Sequence, residues 1–278
     1  MTVLITVDEL AEALASDNAP ILLDVRWTLG GPDGLDEYRK GHIPGAVFVD
    51  FEHELSAPSE PTAGRHPLPS REQLQTAAQR WGINDRADAV VVYDGNGNLS
   101  SARAWWLLRW AGMTDVRLLD GALPVWEATG HAISTDEVTP SPGTVELTSG
   151  AVRTISLEEV EDFTTRGILL DARAPERFRG EEEPYDPKAG HIPGARSAPT
   201  RENLDADGRF LAPEELLARF KSLGVDGSRP VAVYCGSGVT AAHEIAALEI
   251  AEGYRTVLYP GSWSQWSNHD LPVVKGRY

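Results

Sequence analysis

The hexapeptide GHIPGA occurs twice in this 278-residue chain, at residues 41–46 and 190–195. Other landmarks recur in the same order, at separations that drift from 150 to 140 residues along the chain. They are the capping boxes Thr6-x-x-Glu9 and Ser156-x-x-Glu159, the runs ILLDVR (21–26) and ILLDAR (168–173), the runs VVVYDG (90–95) and VAVYCG (231–236), and the stretches LLDGALPVW (118–126) and LYPGSWSQW (258–266). This many aligned landmarks indicate that one ancestral unit has been duplicated.

Each copy reads as helix, strand, turn, helix, strand, helix, strand and helix. Short apolar strands that alternate with helices predict an α/β fold, here two tandem domains, each a mostly parallel sheet with helices on both faces. Residues 136–152 are rich in Pro, Gly, Ser and Thr and predict a linker. The expected domains are therefore residues 1–135 and 153–278.

The composition limits the partners and the location. The net charge is −17, whereas nucleic acid and anionic membrane surfaces attract positively charged proteins, so neither is an expected partner. A local arginine cluster could still bind a small anionic substrate. The first residues carry no basic leader, and no stretch approaches the roughly 18 apolar residues of a membrane span, which predicts a cytoplasmic protein.

The chain also gives no sign of a cofactor. Its single cysteine excludes an internal disulfide, and its seven scattered histidines include no His/Cys pair at the spacing of metal ligands. We therefore expect no metal and no other cofactor.

The two copies differ where the matched runs VVVY and VAVY end: the first has Asp94 and the second has Cys235. A Gly-rich loop follows Cys235 and leads into a helix expected over residues 241–252. Ligands of open α/β sheets lie beyond the carboxyl ends of strands. We therefore expect the second copy to carry the chemistry and the first to be catalytically inactive.

The loop after Cys235 favours a reactive sulfur. Gly236 and Gly238 allow backbone conformations in which consecutive N–H groups point inward, and the following helix adds the positive end of its dipole. Such surroundings stabilise a thiolate. A lone cysteine is more commonly buried and structural, but the strand end, the Gly-x-Gly loop and the helix start together favour catalysis.

Two other cysteine chemistries fit less well. Cysteine phosphatases need an arginine that closes the loop on phosphate, and position 241 is alanine. A redox sensor needs a resolving cysteine, which this chain lacks.

The sequence resembles the tandem-domain sulfurtransferases of the rhodanese superfamily along nearly its whole length. The resemblance lies in CGSGVTA (235–241), LLDARAPERFRG (169–180) and both copies of GHIPGA. The first of these is similar to the active loop of 3-mercaptopyruvate sulfurtransferases. The resemblance implies an inactive N-terminal rhodanese-like domain and an active C-terminal one.

The resemblance also implies roles for residues of the second copy. Cys235 would be the nucleophile that takes the sulfur and holds it as a persulfide, and Arg177 would bind the substrate carboxylate. Ser237 and Thr240 match catalytic loop residues. The other substrate-binding candidates are Arg179, Gly236, Gly238 and Val239.

In this family, the loop serine has been linked to a histidine and an acid from the first domain. Glu52 and His66 are the candidates for that pair, and His53 competes with His66. Many relatives also carry a second arginine shortly before GHIPG. This chain has Tyr185 and Asp186 in that neighbourhood, and Lys188 and Arg179 are candidates for the missing contact.

Four other polar residues are more simply structural. His42 and His191 lie inside the GHIPG segments, which are typical of turns. Asp24 and Asp171 end the first strand of each copy and are expected to bond loop backbone.

The expected reaction moves sulfur from 3-mercaptopyruvate, or from thiosulfate, through a Cys235 persulfide to a thiol or cyanide. The expected partners are a small anionic donor and a thiol acceptor such as thioredoxin or another sulfur-accepting protein. The loop itself supplies no positive charge beside Cys235, which favours mercaptopyruvate over the dianion thiosulfate. The alternatives are a thiosulfate sulfurtransferase, or a persulfide carrier or scaffold that a partner protein loads.

Overall fold

The apolar runs of the two copies form the central strands of two separate parallel sheets in the computed structural model, which describes residues 2–276. The chain divides into two units. The first contains the residues up to Ala57, Pro69–Val152 and Asp205–Phe210, and the second contains Pro58–Leu68, Arg153–Leu204 and the residues from Leu211 on. Each unit therefore includes one short segment from the other half of the sequence.

Within the described residues, the first unit has a five-stranded sheet in which paired strands are parallel. Its strands are β1 (Leu4–Ile5), β2 (Ile21–Asp24), β3 (Val47–Phe48), β4 (Ala89–Tyr93) and β5 (Asp115–Leu119). Its helices are α1 (Val7–Leu14), α2 (Gly34–Lys40), α3 (Phe51–Glu54), α4 (Arg71–Arg80), α5 (Ser101–Trp110) and α6 (Ala122–Ala128). The order β1-β5-β4-β2-β3 puts the strand that precedes Asp94 at the centre.

The second unit, over the same described range, has a four-stranded parallel sheet in the order β7-β6-β8-β9. Its strands are β6 (Ile168–Asp171), β7 (Ala195–Ser197), β8 (Val231–Tyr234) and β9 (Thr256–Leu258). Its helices are α7 (Leu157–Arg166), α8 (Pro175–Arg179), α9 (Pro213–Ser222), α10 (Thr240–Glu252) and α11 (Ser262–Trp266), with a short 3-10 helix at Thr200–Asn203. The predicted fold class, two parallel α/β sheets, is confirmed.

The core of each unit is built on the central strands and on tryptophans. All four residues of β8 are buried, as expected of a parallel strand covered by helices. Tyr234 belongs to a buried cluster that includes Trp263 and Trp266. In the first unit, Trp105 and Trp106 of α5 are fully buried as well. These aromatic side chains are therefore part of the packing rather than of a binding surface.

Both predicted capping boxes are present. The Glu9 N–H donates to Thr6 Oγ1 at 3.2 Å, and the Thr6 N–H donates to the Glu9 carboxylate at 2.8 Å. The Ser156 N–H likewise donates to the Glu159 carboxylate at 2.8 Å. These bonds fix the starts of α1 and α7. None of the helices within residues 2–276 combines the length and the apolar character needed to cross a bilayer.

Residues 136–152, expected to be a linker, belong to the first unit. The Val145 N–H donates to the Ile83 carbonyl at 3.2 Å, and the side chains of Val145 and Leu147 are buried. This stretch therefore packs on the unit that precedes it.

The GHIPG histidines have the structural role expected of them. His42 and His191 are both buried, and in each ring Nδ1 lies within hydrogen-bond distance of a helix carbonyl, that of Tyr38 at 3.0 Å and that of Phe178 at 2.8 Å. Each imidazole also stacks on the ring of the same residue, with centroids 3.9 and 3.7 Å apart. Burial lowers the pKa of His191, which favours the neutral imidazole.

The aspartates that end β2 and β6 have different surroundings. Asp171 accepts hydrogen bonds from the Arg173 backbone N–H at 3.0 Å and from the Arg173 guanidinium at 2.6 Å. Asp24 pairs with Arg26 at 3.0 Å but, in the part of the chain that the structure describes, its carboxylate accepts no backbone hydrogen bond. Burial raises the pKa of Asp24 to about 7, against the opposing charge of Arg26. The predicted bonding to loop backbone is confirmed for Asp171 and wrong for Asp24.

Asp24→Asn should therefore flatten the pH dependence of stability. Because the folded-state pKa lies above that of an unfolded carboxyl, the folded state binds the proton more tightly. This stabilisation is full below about pH 4 and is lost as the pH rises through about 7. The amide of the variant does not titrate. Urea unfolding of both proteins across this range measures the difference, and parallel curves would contradict our account of Asp24.

Candidate active site

Cys235 immediately follows β8, an inner strand of the second sheet. Its N–H donates to Ser262 Oγ at 3.1 Å, and its carbonyl accepts from the Trp263 N–H at 3.0 Å. The preceding residue, Tyr234, accepts a hydrogen bond from the Ile192 N–H through its hydroxyl at 3.2 Å. These bonds fix the cysteine at the carboxyl end of the strand, where the residue is 2% exposed.

The loop after Cys235 turns at Gly238. The φ of this residue is +78°, in the left-handed region that favours glycine. The Gly238 N–H lies 3.1 Å from Cys235 Sγ, so that the loop donates a hydrogen bond to the sulfur. Val239 then precedes α10, which begins at Thr240. Residues 236–239 thus form one turn between β8 and α10. The positive N-terminal end of the α10 dipole favours a negative charge at this position.

Ser237 lies within hydrogen-bond distance of His66. The distance between His66 Nδ1 and Ser237 Oγ is 2.7 Å, and the two residues are 4% and 5% exposed. Although His66 precedes the first-half strand β4 in the sequence, its segment Pro58–Leu68 belongs to the second unit. The Arg65 N–H donates to Ser264 Oγ at 3.0 Å, which ties this segment to α11. The second unit therefore contains both members of the contact.

Glu52 and His53 are adjacent residues of α3 in the first unit. Glu52 Oε1 accepts a hydrogen bond from Trp27 Nε1 at 2.7 Å. The His53 ring pairs with Asp50 at 2.9 Å, and its side chain is 83% exposed. The hydrogen bond to Asp50 raises the pKa of His53. His53 is therefore a surface residue with a local acidic partner, unlike the buried His66.

The two arginines of α8 have different partners. Arg177 pairs with Glu183 at 2.7 Å and with Asp186 at 3.1 Å, and both of these carboxylates are almost fully buried. Arg179 pairs with Glu181 and Glu176, which are largely exposed. The hydrogen bonds to Glu181 raise the pKa of Arg179. Arg179 thus belongs to a solvated ion-pair cluster, whereas Arg177 faces the interior.

Arg177 also approaches the loop that carries the cysteine, and so does an arginine that our sequence analysis missed. A β-carbon on residue 236 would lie 3.0 Å from Arg65 Nη2 and 3.1 Å from Arg177 Nη1. Both guanidinium groups therefore face the backbone of Gly236, beside Cys235. The available signal was the position of Arg65 directly before the candidate His66, in GRHPLP.

In the first unit, the carboxylate of Asp94 fills the corresponding loop. Its two oxygens accept hydrogen bonds from four backbone N–H groups, which belong to Asn96, Asn98, Ser100 and Ser101 at 2.7 to 3.1 Å. The loop of the first unit is thus a nest for an anion, and a side chain of the protein occupies it. In the second unit, the corresponding loop follows Cys235, whose sulfur accepts a hydrogen bond from the Gly238 N–H.

Comparison with known proteins agrees with this geometry. A family model described as "Rhodanese-like domain" matches residues 6–129 and again residues 156–269. The chain is 46% identical to "Putative thiosulfate sulfurtransferase SseB" of Mycobacterium tuberculosis, with 99% of this chain and 97% of that protein covered. It is 45% identical to "Probable 3-mercaptopyruvate sulfurtransferase" of Pseudomonas aeruginosa, with 98% of each covered.

The crystal structure of SseA from Escherichia coli, described as a 3-mercaptopyruvate sulfotransferase with the rhodanese fold, superposes with a TM-score of 0.84. The sequence identity is 32%, and the match covers 95% of this chain and 99% of that one. Two matched domains and near-complete coverage of these relatives agree with the repeat, the two parallel sheets and the strand-end cysteine. The chain belongs to the rhodanese superfamily, among its tandem-domain sulfurtransferases.

Proposed function

We propose that this chain takes the sulfur of 3-mercaptopyruvate onto Cys235 as a persulfide and passes it to a thiol or to cyanide. Ser237 lies two residues after Cys235 in the sequence. The observation that carries the choice of donor is its 2.7 Å contact with His66. It provides a route for a proton next to the reacting sulfur, and the two donors differ in their need for one.

In the first half-reaction, the Cys235 thiolate attacks the sulfur of mercaptopyruvate. An S–S bond forms, the C–S bond breaks, and its electron pair goes to the carbon, which leaves as the enolate of pyruvate. The enolate takes a proton to become pyruvate. Ser237, hydrogen-bonded to His66, is placed to relay that proton as a general acid. The loop N–H groups and the N-terminus of α10 stabilise the negative charge on the sulfur.

Thiosulfate makes a different demand on the site. Breaking its S–S bond releases sulfite, a stable anion that needs no proton in order to leave. A thiosulfate enzyme gains from positive charge beside the cysteine, and the loop residues 236–240 supply none. The neighbouring Arg65 and Arg177 face carboxylates of Asp186 and Glu183, which offset their charge. The site therefore favours a donor that needs an acid over a donor that needs a strong positive field.

In the second half-reaction, the acceptor attacks the outer sulfur of the persulfide, and the Cys235 thiolate is the leaving group. We propose thioredoxin or another protein thiol as the acceptor, and the cytoplasm as the location, because a reducing compartment keeps such thiols available. The first domain, expected over residues 1–135, would take no part in sulfur chemistry, since a carboxylate replaces the thiol at Asp94. The second domain, expected over residues 153–278, would carry Cys235.

Steady-state kinetics with both donors test this proposal. We expect kcat/KM for 3-mercaptopyruvate to exceed that for thiosulfate by at least about tenfold, a preference of about 1.4 kcal/mol in the transition state. Faster turnover of thiosulfate would contradict the proposed donor and would make thiosulfate, which the name of the Mycobacterium tuberculosis relative contains, the preferred one. If neither free donor supported turnover, the chain would instead be a persulfide carrier that a partner protein loads.

A further inference from the structure

We propose that Arg65 supplies the second half of the donor's carboxylate site, together with Arg177, and thus replaces the arginine that many relatives carry before GHIPG. This inference rests on the proposed function and adds a specificity-determining residue to it. Two other basic residues could have filled that role. Lys188 Nζ, however, donates to the His269 carbonyl at 2.6 Å, and Arg179 is bound in its own exposed cluster with Glu181.

The geometry at Gly236 carries the proposal. The guanidinium groups of Arg65 and Arg177 come from segments far apart in the sequence. Each has a terminal nitrogen close to the Gly236 α-carbon: a β-carbon built there would lie 3.0 Å from Arg65 Nη2 and 3.1 Å from Arg177 Nη1. Carboxylate oxygens accept from guanidinium nitrogens at about 2.7–2.9 Å. A carboxylate that lies over Gly236 could therefore accept from both arginines. Glycine at this position has no side chain that would crowd the two guanidinium groups.

Asp186 holds the two arginines in this arrangement. Its side chain is 2% exposed, and its oxygens pair with Arg65 Nη1 and with Arg177 Nη2. Each guanidinium thus uses one terminal nitrogen on Asp186 and directs the other at Gly236. A shared, buried carboxylate offsets the repulsion between the two cations and fixes their orientation before any ligand arrives.

Glu183 adds a second negative charge, through its 2.7 Å contact with Arg177. Glu183 also pairs with Arg173 at 3.3 Å, and Arg173 pairs in turn with Asp171, so that three arginines and three carboxylates leave this group without net charge. Recognition therefore depends on directed N–H groups rather than on a strong positive field. A carboxylate can accept from two converging guanidinium N–H donors and carries one negative charge, whereas thiosulfate carries two. The arrangement therefore selects for the carboxylate of the donor.

Tyr185 occupies the neighbourhood in which relatives carry their second arginine. Its ring lies 5.6 Å from Arg65 Cζ and 5.3 Å from Arg177 Cζ, within the range of cation–π contacts. An arginine at this position would add a further cation to the group. Tyr185 instead places an uncharged ring beside the two guanidinium groups. This agrees with Arg65, from the segment that carries His66, being the second cation.

The test compares Arg65→Gln and Arg65→Lys with wild type, using 3-mercaptopyruvate as the donor. Gln removes the charge, whereas Lys keeps an ion pair with Asp186 but has no second nitrogen for the donor. We expect both variants to raise KM by about tenfold or more, since a charge-assisted hydrogen bond is lost, and to change kcat much less. Pyruvate, which carries the same carboxylate, should lose potency as a product inhibitor by the same factor.

Arg80→Gln is the matched control, because Arg80 forms an ion pair with Glu54 in the first unit. Its KM and pyruvate inhibition constant should stay at the wild-type values. The inference is overturned if Arg65→Gln, or Arg65→Lys should the Gln variant not fold, shows wild-type values of both constants. It is also overturned if Arg179→Gln or Lys188→Met raises them in its place. A wild-type protein that takes no sulfur from mercaptopyruvate would instead overturn the proposed function.

Discussion

Cys235→Ser should abolish sulfur transfer from either donor. No other residue of the chain carries a thiol, so nothing else can hold the persulfide. A serine alkoxide cannot form that intermediate, because the bond made to the donor must join two sulfurs. Turnover assays with 3-mercaptopyruvate and with thiosulfate, using cyanide or a thiol as the acceptor, measure the loss.

The same variant should keep its fold. Serine nearly matches cysteine in size, and its hydroxyl can accept the hydrogen bond that the Gly238 N–H donates to the sulfur at 3.1 Å. We expect a cooperative thermal transition close to that of the wild type. A folded Cys235→Ser protein that still transfers sulfur would contradict the assigned nucleophile.

His66→Ala should lower kcat for 3-mercaptopyruvate by about 10²-fold, the usual contribution of a general acid or base. Removal of the imidazole leaves Ser237 without its partner at 2.7 Å, so that protonation of the leaving enolate slows. The rate with thiosulfate should fall much less, because sulfite leaves without a proton. Steady-state kinetics with both donors separate this effect from a general loss of structure.

His53→Ala is the control for that experiment. This histidine is exposed and pairs with Asp50 in α3, so its loss should leave both rates near the wild-type values. A larger effect from His53→Ala than from His66→Ala would reverse the assignment. Equal losses on both donors from His66→Ala would indicate a structural role for His66 and would remove the main support for mercaptopyruvate.

Much of the fold could be predicted because its signals are local and occur twice. The capping boxes locate the starts of α1 and α7. The run VVVY lies within β4, and the run VAVY is β8 itself. Buried parallel strands are short and continuously apolar, so a single run is ambiguous, but an aligned copy of each run removes the ambiguity. The same alignment brought out the exchange of Asp94 for Cys235.

The surroundings of Cys235 depend on long-range packing and were only partly predictable. Gly236 and Gly238 indicate a tight loop, and glycine permits the left-handed turn that the structure has at Gly238. No local pattern indicates that residues 58–68 join the second unit. Arg65 was therefore missed, although it directly precedes His66. The resemblance to relatives with an arginine before GHIPG directed attention to Lys188 and Arg179 instead.

Asp24 and Asp171 also show that long-range packing, which the sequence does not reveal, decides the surroundings of a side chain. Each is the last residue of a copy of the motif ILLD, and the sequence gives no reason to distinguish them. In the folded protein, Asp171 is satisfied by the backbone and guanidinium of Arg173, whereas burial of Asp24 raises its pKa to about 7. The difference arises from how the neighbouring arginine packs, which only the tertiary structure specifies.

The central claim, that sulfur passes through Cys235, is tested most directly by intact-protein mass spectrometry after brief treatment with 3-mercaptopyruvate. Our account predicts that the wild type gains the mass of one sulfur atom, that peptide mapping places it on Cys235, and that cyanide or a thiol removes it. Cys235→Ser should gain nothing. A wild type that turns the donor over without this gain in mass, or a Cys235→Ser protein that shows it, would contradict the account.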